Sequence, residues 1–205
     1  MPENLITTWY LRYQGPQLPM PHLPAASLLM EATLPSPDLN QFLFSAVGNH
    51  WRWFSRLNWS YQQWLDYLST DDVRTWVLYQ AGSIAGFIEL NYHPENENIK
   101  QAPSVELKFF GLLPAFTGGG LGPKLAQAAI ALAQQWLANR MPTVESNVWV
   151  HTCSADHPAA LTTYQKAGFA IYETTAEPAE IPSDYAEAIL CRNYIQSRLA
   201  HFTTK

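Results

Sequence analysis

"FTGGGLGPKLAQAAIALAQQW", residues 116–136, is the stretch on which the fold turns. Gly118, Gly119 and Gly120 are consecutive, and Gly122 follows after a single leucine. Glycine is the costliest residue to order, so this density implies that the bare backbone is needed, for a tight turn or for close approach of another group. The stretch follows a strand-like segment, "SVELKFFGLL" at 104–113. It predicts a helix from about Pro123 to Ala138, with Pro123 at the first helical position. Leu125, Ala129, Leu132 and Trp136 would share one face of that helix. A glycine loop that opens a helix offers unpaired N–H groups and the positive end of the helix dipole, which together favour a phosphate group. Lys124 follows Pro123, so the GK[ST] of a nucleotide-hydrolase loop is missing, and Pro123 occupies the third position of a GxGxxG pattern. The loop therefore points to phosphate without pointing to ATP or NAD. A plain tight turn remains the other reading.

Working outward, the chain has 205 residues, 47% of them apolar, which predicts one domain over 1–205 with a full core. Charged residues are 14%, against roughly 25% in ordinary soluble proteins, and eight Trp, ten Tyr and nine Phe take their place. Such an aromatic load is expected to line a pocket or an interface. The formal net charge of −5 argues against a nucleic-acid partner, which would call for a basic surface. "MPENLITTWY" has no basic region followed by an apolar run, and no run of about 18 apolar residues occurs, so neither a signal peptide nor a membrane span is expected. Cys153 and Cys191 have no metal-binding spacing and read as buried free thiols. The expected location is cytoplasmic, and no metal is expected.

"TTWYLRY" (7–13) reads as a strand, and the proline-dense 14–37 as a connecting segment. Residues 39–69 are helical with interruptions, and Ser60 with Gln63 has capping-box spacing. "VRTWVLYQ" and "SIAGFIELNY" form a hairpin across Ala81-Gly82, and 93–103 is a loop. After the glycine stretch come a strand in "VESNVWVHTC", a short helix in "HPAALTTYQKAGF" ended by Gly168, and strands in "FAIYETT" and "YAEAILCRNY". The fold class is α/β in the α+β sense: a mixed, mostly antiparallel sheet, with helices on both faces and a parallel pair made by the crossover from 104 to 152.

"LLPAFTGGGLGPKL" and "HPAALTTYQKAGF", about forty residues apart, together resemble the GNAT acetyltransferase superfamily. Thr117, Gly118, Gly120 and Gly122 fall in register with its Gln/Arg-x-x-Gly-x-Gly/Ala loop, and Tyr164, Gly168 and Phe169 with its Tyr-x-x-x-Gly-Phe. The match covers residues 76–173, while the first 75 resemble the family only in type. Thr117 replaces the usual Gln or Arg, and His157 replaces a frequent Asn.

The resemblance implies a central parallel strand pair that splays, and acetyl-CoA (coenzyme A) lying in the split. Its pantetheine arm would run along Phe110, Leu112 and Leu113. Its pyrophosphate would sit on Thr117, Gly118, Gly119, Gly120, Leu121 and Gly122, with His157 and Tyr164 beside the cofactor. The implied reaction is direct acetyl transfer to a primary amine of a small molecule or peptide. Tyr164 is the implied acid at the sulfur, and an N–H near Leu112 the implied donor to the tetrahedral oxygen. Glu106 is the implied base, with Glu89 on the neighbouring strand as the other acidic candidate and His93 and His151 as further ones. By alternation Glu106 and Lys108 share a strand face opposite Val105, Leu107 and Phe109, so Glu106 faces a polar site or simply solvent. If adjacent, the two carboxylates would raise one pKa and attract an ammonium. Trp51 and Trp53 are candidates for the acceptor wall, or alternatively for core or a homodimer contact. Arg52 and Arg56, at helical i and i+4, are candidates to bind an acceptor carboxylate, or a solvated face. The rival reading is a non-catalytic acyl-CoA-binding or regulatory module on the same fold.

Overall fold

The computed structural model describes residues 5–48, 51, 53–95, 102–142 and 147–178. The elements run β1 (Leu5–Tyr13), β2 (Ser27–Glu31), α1 (Pro37–Gly48), α2 (Tyr61–Leu68), β3 (Val73–Gln80), β4 (Ser83–His93) and β5 (Ser104–Leu112). A single 3-10 turn at Pro114–Phe116 precedes α3 (Leu121–Arg140), β6 (Val148–Cys153), α4 (Ala160–Lys166) and β7 (Phe169–Pro178). The seven strands form one sheet in the order β2-β3-β4-β5-β6-β1-β7. Every described pairing is antiparallel except β5 with β6.

Alternation along the strands divides the core in two. Trp76, Leu78, Ile88, Leu90, Val105 and Leu107 pack beneath α3, with Tyr164 of α4 in the same cluster. Val77 and Phe87 point the other way and meet Leu43 and Val47 of α1. Phe44 joins Tyr61 and Trp64 of α2 in a neighbouring cluster. So α1 and α2 cover one face, and α3 and α4 the other. The composition of α3 lets it pack closely on the sheet: Ala126, Ala128, Ala129 and Ala133 are fully buried, so the helix backbone comes close to the strands.

Several elements depart from the sequence reading. Helix α3 begins at Leu121, so Pro123 is its third residue and not its first. Proline is tolerated there because the first four helical N–H groups lack intrahelical partners anyway. The proline-dense connection contains β2, an edge strand paired with β3. Trp51, Trp53 and Arg56 lie in the irregular segment between α1 and α2, not on a helix. Lys108 is a bulge: Glu89 pairs with Phe109 and Leu90 with Leu107. The extra residue turns Phe109 away from Val105 and Leu107 and onto Phe44, against the simple period of two. The strand read in "YAEAILCRNY", the residues Cys191 and Arg52, and the start of "VESNVWVHTC" lie outside the described residues.

Candidate functional site

Strands β5 and β6 pair at only two positions, Val105 with Val148 and Glu106 with Trp149. Beyond them β5 continues to Leu112 and β6 to Cys153 with no further pairing between the two. A sheet that parts in this way opens a slot and, among the described residues, leaves one edge of β5 without a strand partner. The glycine loop stands at the end of that slot. Gly118 and Gly120 have φ of +78° and +80°, a left-handed backbone that side chains with a Cβ rarely adopt. A Cβ on Gly118, Gly119 or Gly120 would meet nothing within 4 Å, so their faces are open. Gly120 caps α3 and Leu121 is its first residue, and no acidic residue sits in the first turn to compete for its amides.

Two cavities meet in the slot. One, of about 510 Å³, is lined by Phe110, Gly111, Leu112, Thr117, Gly118, Gly120, Gly122, Pro123, His157 and Tyr164, among others. The second, of about 420 Å³, is lined by Lys108, Phe109, Phe110, His151, Cys153 and Tyr164, among others. They share Trp51, Trp53, Phe110, Asp156 and Tyr164. Of the residues expected to hold a cofactor, Leu113, Gly119 and Leu121 stand outside the first cavity. Leu121 is instead buried in the core, and the Leu113 N–H donates to Ala85.

Tyr164 lies on α4 at the seam of both cavities, with its ring centroid 5.9 Å from those of Phe110 and Phe169. Burial pushes its phenol well above the ordinary range, and the neighbouring Asp156 adds to this, so it stays protonated. Asp156, which the sequence reading missed, accepts from the Thr152 hydroxyl at 2.9 Å and from the His157 N–H at 2.8 Å. Its signal was "SADHP", an aspartate just ahead of a helix start, where free amides collect. His157 Nδ1 accepts from the Ala159 N–H at 3.0 Å, and Trp51 stands edge-on to its ring at 4.6 Å. Thr117 donates its hydroxyl to the Pro114 carbonyl and closes the 3-10 turn before the glycines.

The two candidate acids have different neighbours. Glu89 is 1% exposed and lines neither cavity. It accepts from Arg56 at 2.8 Å, from the Tyr67 hydroxyl at 2.7 Å and from Asn40 at 3.4 Å. Arg56, at 4% exposed, is neither solvated nor at a cavity. Its guanidinium lies 4.0 to 4.7 Å from the ring centroids of Tyr67, Phe109 and Trp59. Burial and the Glu89 charge push the Tyr67 phenol well above its usual range, outweighing Arg56.

Glu106 is also 1% exposed, so it is not the solvated carboxylate that alternation allowed. It pairs across the sheet with Asn91, not with Glu89. His93 Nε2 lies 3.0 Å from its Oε2, while His151 Nδ1 and Lys108 Nζ lie 2.9 and 3.3 Å from its Oε1. Burial alone would raise its pKa. The hydrogen bonds to His151 and His93 and the Lys108 charge outweigh burial and hold the carboxyl well below the usual range. Among the described residues, no group of three or more His, Cys, Asp and Glu is placed to hold a metal, and no helix is long and apolar enough to cross a membrane.

This sheet, split at one parallel pair with a glycine loop at the mouth of the split, is a GNAT fold. The chain belongs to the GNAT acetyltransferase family, whose model matches residues 38–169. Solved structures agree in fold. A GNAT-family protein from Novosphingobium aromaticivorans is 16% identical with a TM-score of 0.52, over 85% of this chain and 63% of that one. A GCN5-related N-acetyltransferase from Sphaerobacter thermophilus is 14% identical with a TM-score of 0.53, over 87% and 54%. An aminoglycoside acetyltransferase from an uncultured soil metagenomic sample is 16% identical with a TM-score of 0.51, over 77% of this chain and 99% of that one. The chain thus spans 54 to 63% of the length of the first two. No curated protein matches it in sequence.

Proposed function

We propose that this chain is an N-acetyltransferase that takes an acetyl group from acetyl-CoA and gives it to the primary amine of a small molecule or peptide. The observation that carries the reading is the junction of the two cavities at Phe110 and Tyr164, one running to the glycine loop and the other to Phe54 and Ser55, between α1 and α2, and to His151 and Cys153 of β6. One cavity would hold the donor and the other the acceptor, so the reacting atoms meet at the seam.

The residues present fit the donor. Gly118, Gly120 and Gly122 offer open backbone at the positive end of α3, where a pyrophosphate is stabilised. The edge of β5 left by β6 at Phe110 and Leu112 offers backbone groups to the amides of a pantetheine arm. Acetyl-CoA, when bound, supplies an activated thioester. Pro123 withholds one amide from the anion, so the N–H groups of Gly120 and Gly122, which line the cavity, would carry more of that contact. Tyr164, protonated and at the seam, is placed to give a proton to the departing sulfur. Trp51 and Trp53 wall the acceptor side, and their faces suit an ammonium group.

Calorimetric titration with acetyl-CoA, with dephospho-CoA and desulfo-CoA as controls, tests the donor site. Release of free thiol in the presence of an amine panel tests the transfer. Micromolar binding and amine-dependent thiol release are expected. Binding without turnover on any amine would turn the reading into an acyl-CoA-binding module, and no binding at millimolar acetyl-CoA would remove it.

A further inference from the structure

We propose that His151 is the general base of this site and that Glu106 is its positioning residue. The inference rests on the acetyltransferase reading above and names the group in the acceptor cavity that takes the proton.

The alternative expectation gives the base role to Glu106 itself. The structure argues against it on three counts. The carboxylate is 1% exposed, and it is not among the residues lining either cavity. Both of its oxygens are engaged, Oε2 by His93 and Oε1 by His151 and Lys108. A proton delivered there would cancel the charge that holds His93, His151 and Lys108. His151 has the opposite properties. Its side chain is 37% exposed, and it lines the acceptor cavity together with Lys108, Phe110 and Tyr164. Its Nδ1 faces the Glu106 oxygen at 2.9 Å. A carboxylate can only accept, so Nδ1 carries the hydrogen, and the lone pair of the neutral ring is on Nε2. Glu106 therefore sets both the tautomer and the orientation of the imidazole.

His93 is bound to the same carboxylate but does not line the acceptor cavity. It lies beside Trp149, 5.5 Å between ring centroids, and braces the second oxygen. The groups facing His151 come from four places. They are Glu106 on β5, Tyr10 on β1 with its ring 5.9 Å away, Trp149 on its own strand, and, lining the same cavity, Lys108 on β5 and Asp156 on the loop after β6. Tyr172 of β7 stands behind Tyr10, with Arg12 over its ring.

The proton count closes. Nε2 takes a proton from the acceptor ammonium and frees the nitrogen lone pair. The C–N bond forms and the C–S bond breaks. The sulfur takes the Tyr164 hydroxyl proton, and a second proton from the acylated nitrogen restores Tyr164. The imidazolium then loses its proton to water through the open cavity.

Two measurements test this. Long-range nitrogen–proton NMR of the free protein reads the tautomer without any ligand. His151 should carry its hydrogen on Nδ1, and Glu106→Gln should shift it toward Nε2. A hydrogen on Nε2 in the unmodified protein would overturn the proposal. The second measurement is acetyl transfer from acetyl-CoA to two probe amines, tyramine and hydroxylamine, with acetyl-CoA affinity measured alongside. His151→Gln should lower kcat/KM for tyramine about 100-fold or more, and far less for hydroxylamine, which is already neutral near pH 7 and needs no base. Acetyl-CoA affinity should be unchanged. Glu106→Gln should lower kcat while leaving KM near its original value, and should move the pH profile. Equal losses on both amines, or a loss in His93→Gln but not in His151→Gln, would overturn the assignment. If the unmodified protein bound acetyl-CoA but acetylated neither amine, the base assignment would fall; if it bound none, the acetyltransferase reading would fall first.

Discussion

Glu89 and Glu106 read alike in the sequence, each a single carboxylate in a strand, and the fold gives them different tasks. Glu89 neutralises Arg56 in a pocket of aromatic rings. A charge left alone at that depth is expensive, so Arg56→Ala should cost about 3–5 kcal/mol in urea unfolding. The pair Arg56→Met with Glu89→Leu should recover most of that, since the expense lies in the orphaned charge and not in the lost attraction. A cost below 1 kcal/mol for Arg56→Ala would mean that water reaches Glu89. Glu106 predicts a pH effect. Its folded pKa lies below the unfolded one, so its stabilisation is complete above the ordinary carboxylate range and is lost as pH falls toward the folded value. The stability gap between the native chain and Glu106→Gln should therefore be widest near neutrality and narrow between about pH 5 and pH 3, read from urea midpoints. Neither environment was legible in the sequence. Which side chains meet a carboxylate depends on strand register, and the bulge at Lys108 alters that register by one residue.

At the scale of elements, local chemistry was readable and long-range pairing was not. Ser60 and Gln63 form the capping box that their spacing announced: the Gln63 N–H donates to the Ser60 hydroxyl at 3.2 Å, and the Ser60 N–H to Gln63 Oε1 at 2.8 Å. Ser60→Ala should cost about 1 kcal/mol by urea unfolding. The turn at Ala81-Gly82 and the left-handed Gly168 after α4 were equally local, with φ of +50°, +82° and +102°. The place of β1, inserted between β6 and β7, was not legible, because nothing within the first 13 residues marks a partner some 140 residues away. The glycine loop shows both sides. Its composition implied that bare backbone is needed, but only the structure separates the glycines, Gly118 and Gly120 being left-handed and Gly122 helical. Gly122 is the informative one, since it is helical, lines the cavity at the glycine loop and has room, a Cβ lying 3.8 Å from Leu112. Gly122→Gln should hold or raise stability by up to about 1 kcal/mol, because glycine is a poor helix residue. It should weaken acetyl-CoA at least 10-fold by calorimetry, because the side chain enters the slot. Unchanged affinity would move the pyrophosphate off this turn.

For the whole molecule, the question is what a split sheet gains. Parting β5 from β6 forgoes ladder hydrogen bonds across the middle of the domain, between the layer of α1 and α2 and the layer of α3 and α4. A guest that pairs with the exposed edge and caps α3 would tie the two halves together. Linkage then makes stability a direct reading of occupancy: at about 100 times Kd a ligand adds roughly 2.7 kcal/mol. For a chain of this size that corresponds to a rise in Tm of roughly 5–11 °C. Saturating acetyl-CoA should produce such a rise in the native chain. Tyr164→Phe should show the same rise, since the ring keeps its packing on Phe110 and Phe169 and loses only the hydroxyl. Its rate of thiol release, however, should fall about 10- to 100-fold. Gly122→Gln should lose most of the thermal shift at the same ligand concentration. If Tyr164→Phe lost the shift and kept the rate, the phenol would be holding the donor and not protonating its sulfur, and the acid would have to be sought among the other groups at the seam, Asp156 first.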